Sequence, residues 1–399
     1  MYPLTGMMRL AAIAVVVSLP LSGTAWAQSA ATPQQGVTLT GLIGKVLFAP
    51  QPVLGSDGRQ HIVYELQLSN VTGERVVMKR FTLYGDDDNE PLATLDEAEI
   101  ARRFSPAGRR GNESAELGGF QYGVAFLHIA LPPGRAAPQR LTHKVDAWFD
   151  QFKADAAIQL GATAVTRSAP PVLGPPLRGD NYIAGDGCCD STRHVRALLP
   201  LNGAFRLAQR FAIDWEKLGG DGRLFAGDRK QVASYHIYGQ PILAVSDGTV
   251  VDMRADLADQ VPGALPDGLP IGEADGNFAV LDIGGGAFVL YAHMQPGSVR
   301  VRTGDRVRRG DVIGAVGNTG NSSEPHLHLH VMDGPSPLLA NGLPYVFEAA
   351  TVKAIDLAGT ADFDRAAETG SPVSLTPLVP PLALKRALPL DLTLVDWGN

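Results

Sequence analysis

The chain has 399 residues, 45% of them hydrophobic and 19% charged, with 45 Gly and 29 Pro. That composition excludes fibrous, disordered and polytopic membrane proteins, and its turn-forming content favours many short strands over a helical bundle. A net charge of −7 excludes the basic footprint of a nucleic-acid binder or of a protein drawn to an anionic membrane.

Residues 1–27 read as a secretory signal. Arg9 is the only charge, Leu10–Leu19 is apolar, and Ala25-Trp26-Ala27 is a small-x-small cleavage site. The expected location is therefore periplasmic or extracellular, with no transmembrane segment once the signal is removed. No Cys stands near the cleavage site, which argues against a lipid anchor. The only two cysteines, Cys188 and Cys189, are adjacent, so a disulfide framework is excluded. They read either as two thiols or as a vicinal disulfide in the loop Gly185–Asp190.

From 37 to 160 the pattern alternates in the β manner. Ile62, Tyr64, Leu66 and Leu68 share one face, while His61, Glu65, Gln67 and Ser69 share the other. Ala125, Leu127, Ile129 and Leu131 repeat the period before Pro132-Pro133-Gly134 stops it. The expectation is an immunoglobulin-like sandwich, with a less regular stretch around 95–104 that can hold a helix. Its histidines, His61, His128 and His143, read as surface or packing residues.

Residues 161–180 form a linker whose second half, from 168, is too rich in Pro to continue a helix or a central strand. Residues 181–350 again read as short strands and tight turns: 240–245, 248–253, 278–283, 288–293, 312–316 and 325–332. The whole is expected to be all-β, an antiparallel β-domain following the sandwich. Residues 351–399 lack sustained periodicity and read as a tail laid over the body.

The chemistry gathers in the second half. His326, His328 and His330 alternate with Leu327, Leu329 and Val331, so on a strand all three imidazoles leave one face while the aliphatics enter the core. Tyr291-Ala292-His293 ends another strand. In a third, Phe211, Ile213 and Trp215 share an apolar face and leave Arg210 and Asp214 on the opposite one. A carboxylate and several imidazoles brought together by strands suit a catalytic zinc, which takes three N or O ligands and keeps a position for water.

The order of these elements, with the turns Leu243–Val250, Thr303–Gly314 and Gly317–Gly320, resembles the lysostaphin/LytM-like zinc metallopeptidase family. Its signature is His-x3-Asp, then Tyr-Ala-His, then His-x-His. The resemblance implies an exported metalloendopeptidase, a zinc cofactor and a peptidoglycan or Gly-containing peptide as substrate. By position it implies Asp214 and His328 as zinc ligands, and His293 and His326 as the pair that polarises water and stabilises the tetrahedral intermediate. Where the family has its first ligating His, this chain has Arg210, which holds its proton and cannot bind a cation. Two residues could fill the vacancy: His194, twenty residues before Asp214, or His330, on the face of His328. Arg210 and Tyr291 are expected to contact substrate. The acidic, Pro-containing stretch 254–276 reads as a lid, a binding wall or a plain surface insertion.

Two other function classes follow from the same residues. A metal-free module that binds cell-wall peptide or regulates another hydrolase would explain Arg210. A lipoyl-type carrier shares the 303–314 turn, but the region 317–324 has no Lys to modify.

Overall fold

The computed structural model describes residues 38–86, 90–107 and 113–398. The expected signal, 1–27, lies outside the described residues. The chain is nearly all β, as its alternation predicts, and everything from Thr40 onward forms one compact unit.

The amino-terminal half is built from two antiparallel sheets. One runs in the order Leu42–Val46, Gln60–Asn70, Tyr122–Ala130, Phe104–Pro106, and the other in the order Ala154–Ala164, Arg140–Phe149, Val76–Gly85, Pro91–Asp96. Ile62, Tyr64, Leu66 and Leu68 enter the shared core, together with Phe81, Leu127 and Phe149. The irregular stretch holds a helix, Glu97–Arg103, started by a capping box in which Asp96 and Glu99 satisfy each other's backbone N–H. His143 is a packing residue, its Nε2 2.8 Å from the Tyr64 hydroxyl.

The opposite face of Gln60–Asn70 is also covered. His61, Val63 and Glu65 are buried, because the carboxy-terminal half packs against them. Val53 and Val63 belong to the same apolar cluster as Trp215, Tyr291 and Leu329, and a smaller cluster joins Phe48 and Phe126 to Leu198 and Leu207.

The carboxy-terminal half is centred on one large sheet. Its middle runs Thr393–Asp396, Tyr182–Gly185, Ile213–Lys217, Leu327–Met332, Phe288–Ala292, Phe278–Asp282, Gly248–Arg254. The Pro-rich stretch adds only Val172–Leu173, parallel to the start of Val346–Asp356. Residues beyond 350 are woven into this sheet: Thr393–Asp396 pairs with Tyr182–Gly185, and the helix Thr360–Thr369 packs Phe363 against Ile183 and Leu394.

Candidate metal centre

Three neighbouring strands set the site by register alone. Asp214 lies opposite His328 on one side, and Ala292 lies opposite His328 on the other. Alternation sends Leu327, Leu329 and Val331 into the core at 0% exposure, with Ile213 and Trp215 beside them. The same alternation turns Asp214, His326 and His328 to the other face.

Asp214 is the hub. His328 Nδ1 lies 2.8 Å from its Oδ1, His194 Nε2 3.3 Å from its Oδ2 and His326 Nε2 3.5 Å from its Oδ1. The His293 ring is centred 4.7 Å from His326 and 5.8 Å from His328. His293 reaches the group because the chain leaves its strand there, at φ 60°, a conformation a non-glycine residue holds only when its surroundings fix it. Its own N–H bonds Asp275 O and its carbonyl accepts from Gly317 N–H.

The orientation of the rings is set by the main chain. The Nδ1–H groups of His194, His293 and His326 donate to the carbonyls of Asp186 at 2.9 Å, Thr319 at 2.7 Å and Glu324 at 2.8 Å. In each case this turns Nε2 toward the cluster. His328 is held the other way round, with Nδ1 toward Asp214 and Nε2 2.9 Å from His330 Nδ1. His330 Nε2 is buried without a partner among the described residues.

Charge follows from this geometry. Burial opposes ionisation of Asp214, but His194, His326 and His328 overcome it and hold the carboxyl well below its ordinary value. Burial disfavours a proton on His194, yet the charges of Asp214 and Asp186 push it up to about 9. His293 falls well below its ordinary value through burial, helped by His326 and His328. Burial also lowers His328, against the pull of Asp214.

One ligand atom each from His194, Asp214 and His328 lies within 4.8 Å of the others, and His293, His326 and His328 form an overlapping trio. Two imidazoles and a carboxylate are a donor set that fits a catalytic zinc. The fixed outer nitrogens of His194 and His328 are the supports such ligands need. Of the two candidates for the missing ligand, the fold brings His194 to Asp214 and places His330 behind His328.

The cluster floors a groove of about 460 Å³. Leu265, Ala274 and Asp275, from the long 254–276 stretch, form part of its wall. Sequence reasoning missed Glu216 and Glu324, which also line it. Burial raises both carboxyls above their ordinary range, and Glu216 Oε2 is buried with no partner among the described residues. Glu216 was legible as the next residue on Asp214's face.

Two expected substrate contacts do not reach the groove. Tyr291 lies on the core face of Phe288–Ala292, at 0% exposure, where its hydroxyl accepts the Val245 N–H at 2.8 Å. Only the break after Ala292 brings His293 to the site. Arg210 precedes the strand, which starts at Ile213, and a turn closed by Ala212 N–H and Gln209 O directs it away. Its guanidinium grips both carboxylate oxygens of Glu65, at 2.8 and 2.7 Å. It also donates to Gly342 O at 2.9 Å and lies 5.0 Å over Phe48. Arg210 thus joins the two halves.

His194 rides on a loop fastened from both sides. Asp190 bonds His128 Nδ1 at 2.9 Å and pairs with Arg103, both in the amino-terminal half. On the other side Arg193 pairs with Asp364, and Gly187 N–H donates to Asp391. The two cysteines in this loop are joined as a disulfide.

Residues 232–339 match the sequence profile of Peptidase family M23, a stretch holding His293, His326 and His328 but neither Asp214 nor His194. An uncharacterised metalloprotease of Buchnera aphidicola subsp. Baizongia pistaciae is 29% identical over 93 residues, which are 23% of this chain and 20% of that protein. The match therefore spans about a fifth of the relative's length. Among solved structures, the catalytic domain of the prophage-encoded M23 protein EnpA from Enterococcus faecalis is 20% identical, with a TM-score of 0.24, covering 44% of this chain and 92% of that one. The catalytic domain of lysostaphin from Staphylococcus simulans is 22% identical, with a TM-score of 0.22, covering 41% and 88%. A zinc-containing peptidase from Vibrio cholerae is 12% identical, with a TM-score of 0.22, covering 71% and 79%. Residues 232–339 are the part of the chain that matches peptidase family M23.

Proposed function

We propose that the protein is an exported zinc metalloendopeptidase that hydrolyses peptide bonds in peptidoglycan cross-links or Gly-containing peptides. One observation carries this reading. Three imidazoles whose Nδ1–H groups are spent on main-chain carbonyls converge through Nε2 on the pair Asp214 and His328.

In this reading His194, Asp214 and His328 hold the zinc. Bound there, the ion would supply a Lewis acid and a water acidified at neutral pH. His326 presents its Nε2 lone pair to the attacking water, takes its proton and returns it to the departing amine. His293, kept neutral by burial with its Nδ1–H on Thr319 O, would accept a hydrogen bond from the same water through Nε2 and so orient it. The groove wall from 254–276 holds the peptide over this floor, and Glu216 and Glu324, raised toward the neutral form by burial, line it as hydrogen-bonding groups.

Export rests on residues 1–27, and among the described residues no helix is long and apolar enough to cross a membrane. The alternative of a metal-free binding module drew its support from an Arg210 aimed at the site, and Arg210 is engaged with Glu65 instead.

Elemental analysis of the full chain, combined with fragment release from purified peptidoglycan and from Gly-rich peptides, tests the proposal. One zinc per chain and cleavage abolished by chelation are expected. A zinc-loaded protein that releases nothing from any of these substrates overturns it.

A further inference from the structure

A second histidine pair lies at the junction of the two halves. His61 Nδ1 and His128 Nε2 face each other at 2.9 Å, with the rings stacked at 5.2 Å. Their outer nitrogens each meet a carboxylate: His61 Nε2 lies 2.9 Å from Asp57, and His128 Nδ1 lies 2.9 Å from Asp190.

Proton counting makes this arrangement informative. Each outer contact sets a ring nitrogen against a carboxylate oxygen, an acceptor, and so needs a ring N–H. Two neutral imidazoles own two protons between them, so both are spent outward and two lone pairs point at one another. Only a third proton or a cation between the rings relieves that repulsion.

A sulfur completes the cluster. One ligand atom each from His61, His128 and Cys189 lies within 4.8 Å of the others. His61 and Cys189 are buried and His128 half-buried. Imidazoles whose outer N–H groups are held by carboxylates are the usual supported form of metal-binding histidine. Two such nitrogens and a thiolate sulfur make a donor set suited to a borderline-soft ion of the zinc class.

We propose that His61, His128 and Cys189 form a second metal site, filled by such an ion when the Cys188–Cys189 bond is reduced. Reduction by an external dithiol supplies two electrons and two protons, leaving two thiols here and a disulfide on the reductant. On binding, the Cys189 thiol gives its proton to solvent and its sulfur lone pair to the ion. The site is separate from the groove centre, but Cys189 and His194 share one loop, so an ion there ties that loop to the amino-terminal half.

The test is a count of zinc equivalents on the metal-free full chain, by competition with a chromophoric chelator, before and after treatment with a phosphine. One tight equivalent is expected in the oxidised protein and two in the reduced one. The second is lost in His128→Gln and in Cys189→Ser, whichever of these keeps the parent circular dichroism spectrum, and is retained in His328→Gln. A reduced parent holding a single equivalent that only His328→Gln removes overturns this inference and leaves the proposed function standing. An oxidised protein that holds no zinc, with a single equivalent that appears on reduction and disappears with Cys189→Ser, overturns the proposed function and supports this site.

Discussion

The two histidine clusters use the same parts in opposite order. In the groove the carboxylate is central: Asp214 takes contacts from His194, His326 and His328, with main-chain carbonyls behind the first two rings and His330 behind the third. At the junction the carboxylates are peripheral, and the ring nitrogens meet in the middle. A central carboxylate gathers protons or one cation, with Nε2 of His194 and His326 turned toward it. Peripheral carboxylates use up the ring protons and leave two ring nitrogens facing each other. The first arrangement opens on a groove and the second lies where the two halves meet, so the first suits a reactive centre and the second a fastening one.

The comparison breaks most readily at His326. If the groove is the reactive centre, His326→Ala removes a proton carrier while His194, Asp214 and His328 stay in place. The expected result is a fall in kcat of roughly 10²- to 10⁴-fold with zinc content unchanged. His128→Ala, at the junction, should leave kcat in saturating zinc close to the parent value.

Next in size is the bond between halves. Glu65→Gln strips the charge partner from a guanidinium buried among Glu65, Gly342 and Phe48, and an uncompensated buried charge costs about 3–5 kcal/mol. Denaturant unfolding should show that loss. The double change Glu65→Leu with Arg210→Met removes both charges and should recover most of it. A double variant as unstable as Glu65→Gln would mean that the ion pair itself, and not the orphaned charge, is what matters.

How much of this was legible depends on which residues a position answers to. His326, His328 and Asp214 answer to strand alternation and register, both local properties that the sequence states openly. Placing Arg210 and Tyr291 in the groove failed for a related reason. Alternation puts Tyr291 on the core face and ends before Arg210, so one residue was given the wrong side of a strand and the other a strand it does not belong to. The partners that decide Arg210 and His194 lie far away in sequence: Glu65 is 145 positions from Arg210, and the Asp190 clamp runs to His128 and Arg103. A strand read alone as half-buried gave no sign that its second face carries the rest of the molecule.

A smaller effect tests whether the junction helps to set the groove. Asp190 is half exposed, and its bonds to His128 and Arg103 hold the loop that carries His194. Asp190→Ala should change the unfolding temperature little, yet weaken zinc binding at the groove about tenfold, at the low end of the loss seen for supporting residues. Excess zinc should restore turnover. A variant that loses kcat at saturating zinc would place Asp190 in the chemistry and dissolve the distinction between the two clusters.

The smallest expected effect is the pH dependence of the metal-free protein. His194 sits at about 9 against an ordinary value of 6.5, so its proton stabilises the folded state fully below 6.5 and progressively less as pH rises toward 9. His293, His328 and His330 are displaced the other way, mainly by burial. Their contribution is present above 6.5 and is lost as pH falls through their lowered values. Metal-free stability should therefore peak near neutrality and decline on both sides. Zinc must displace the His194 proton to use its Nε2, so zinc affinity should rise with pH until about 9 and then level off. His194→Gln should flatten that rise while leaving the acid-side decline intact. An unchanged pH profile in that variant would show that His194 is a loop residue and that Asp214 and His328 hold the ion with another partner.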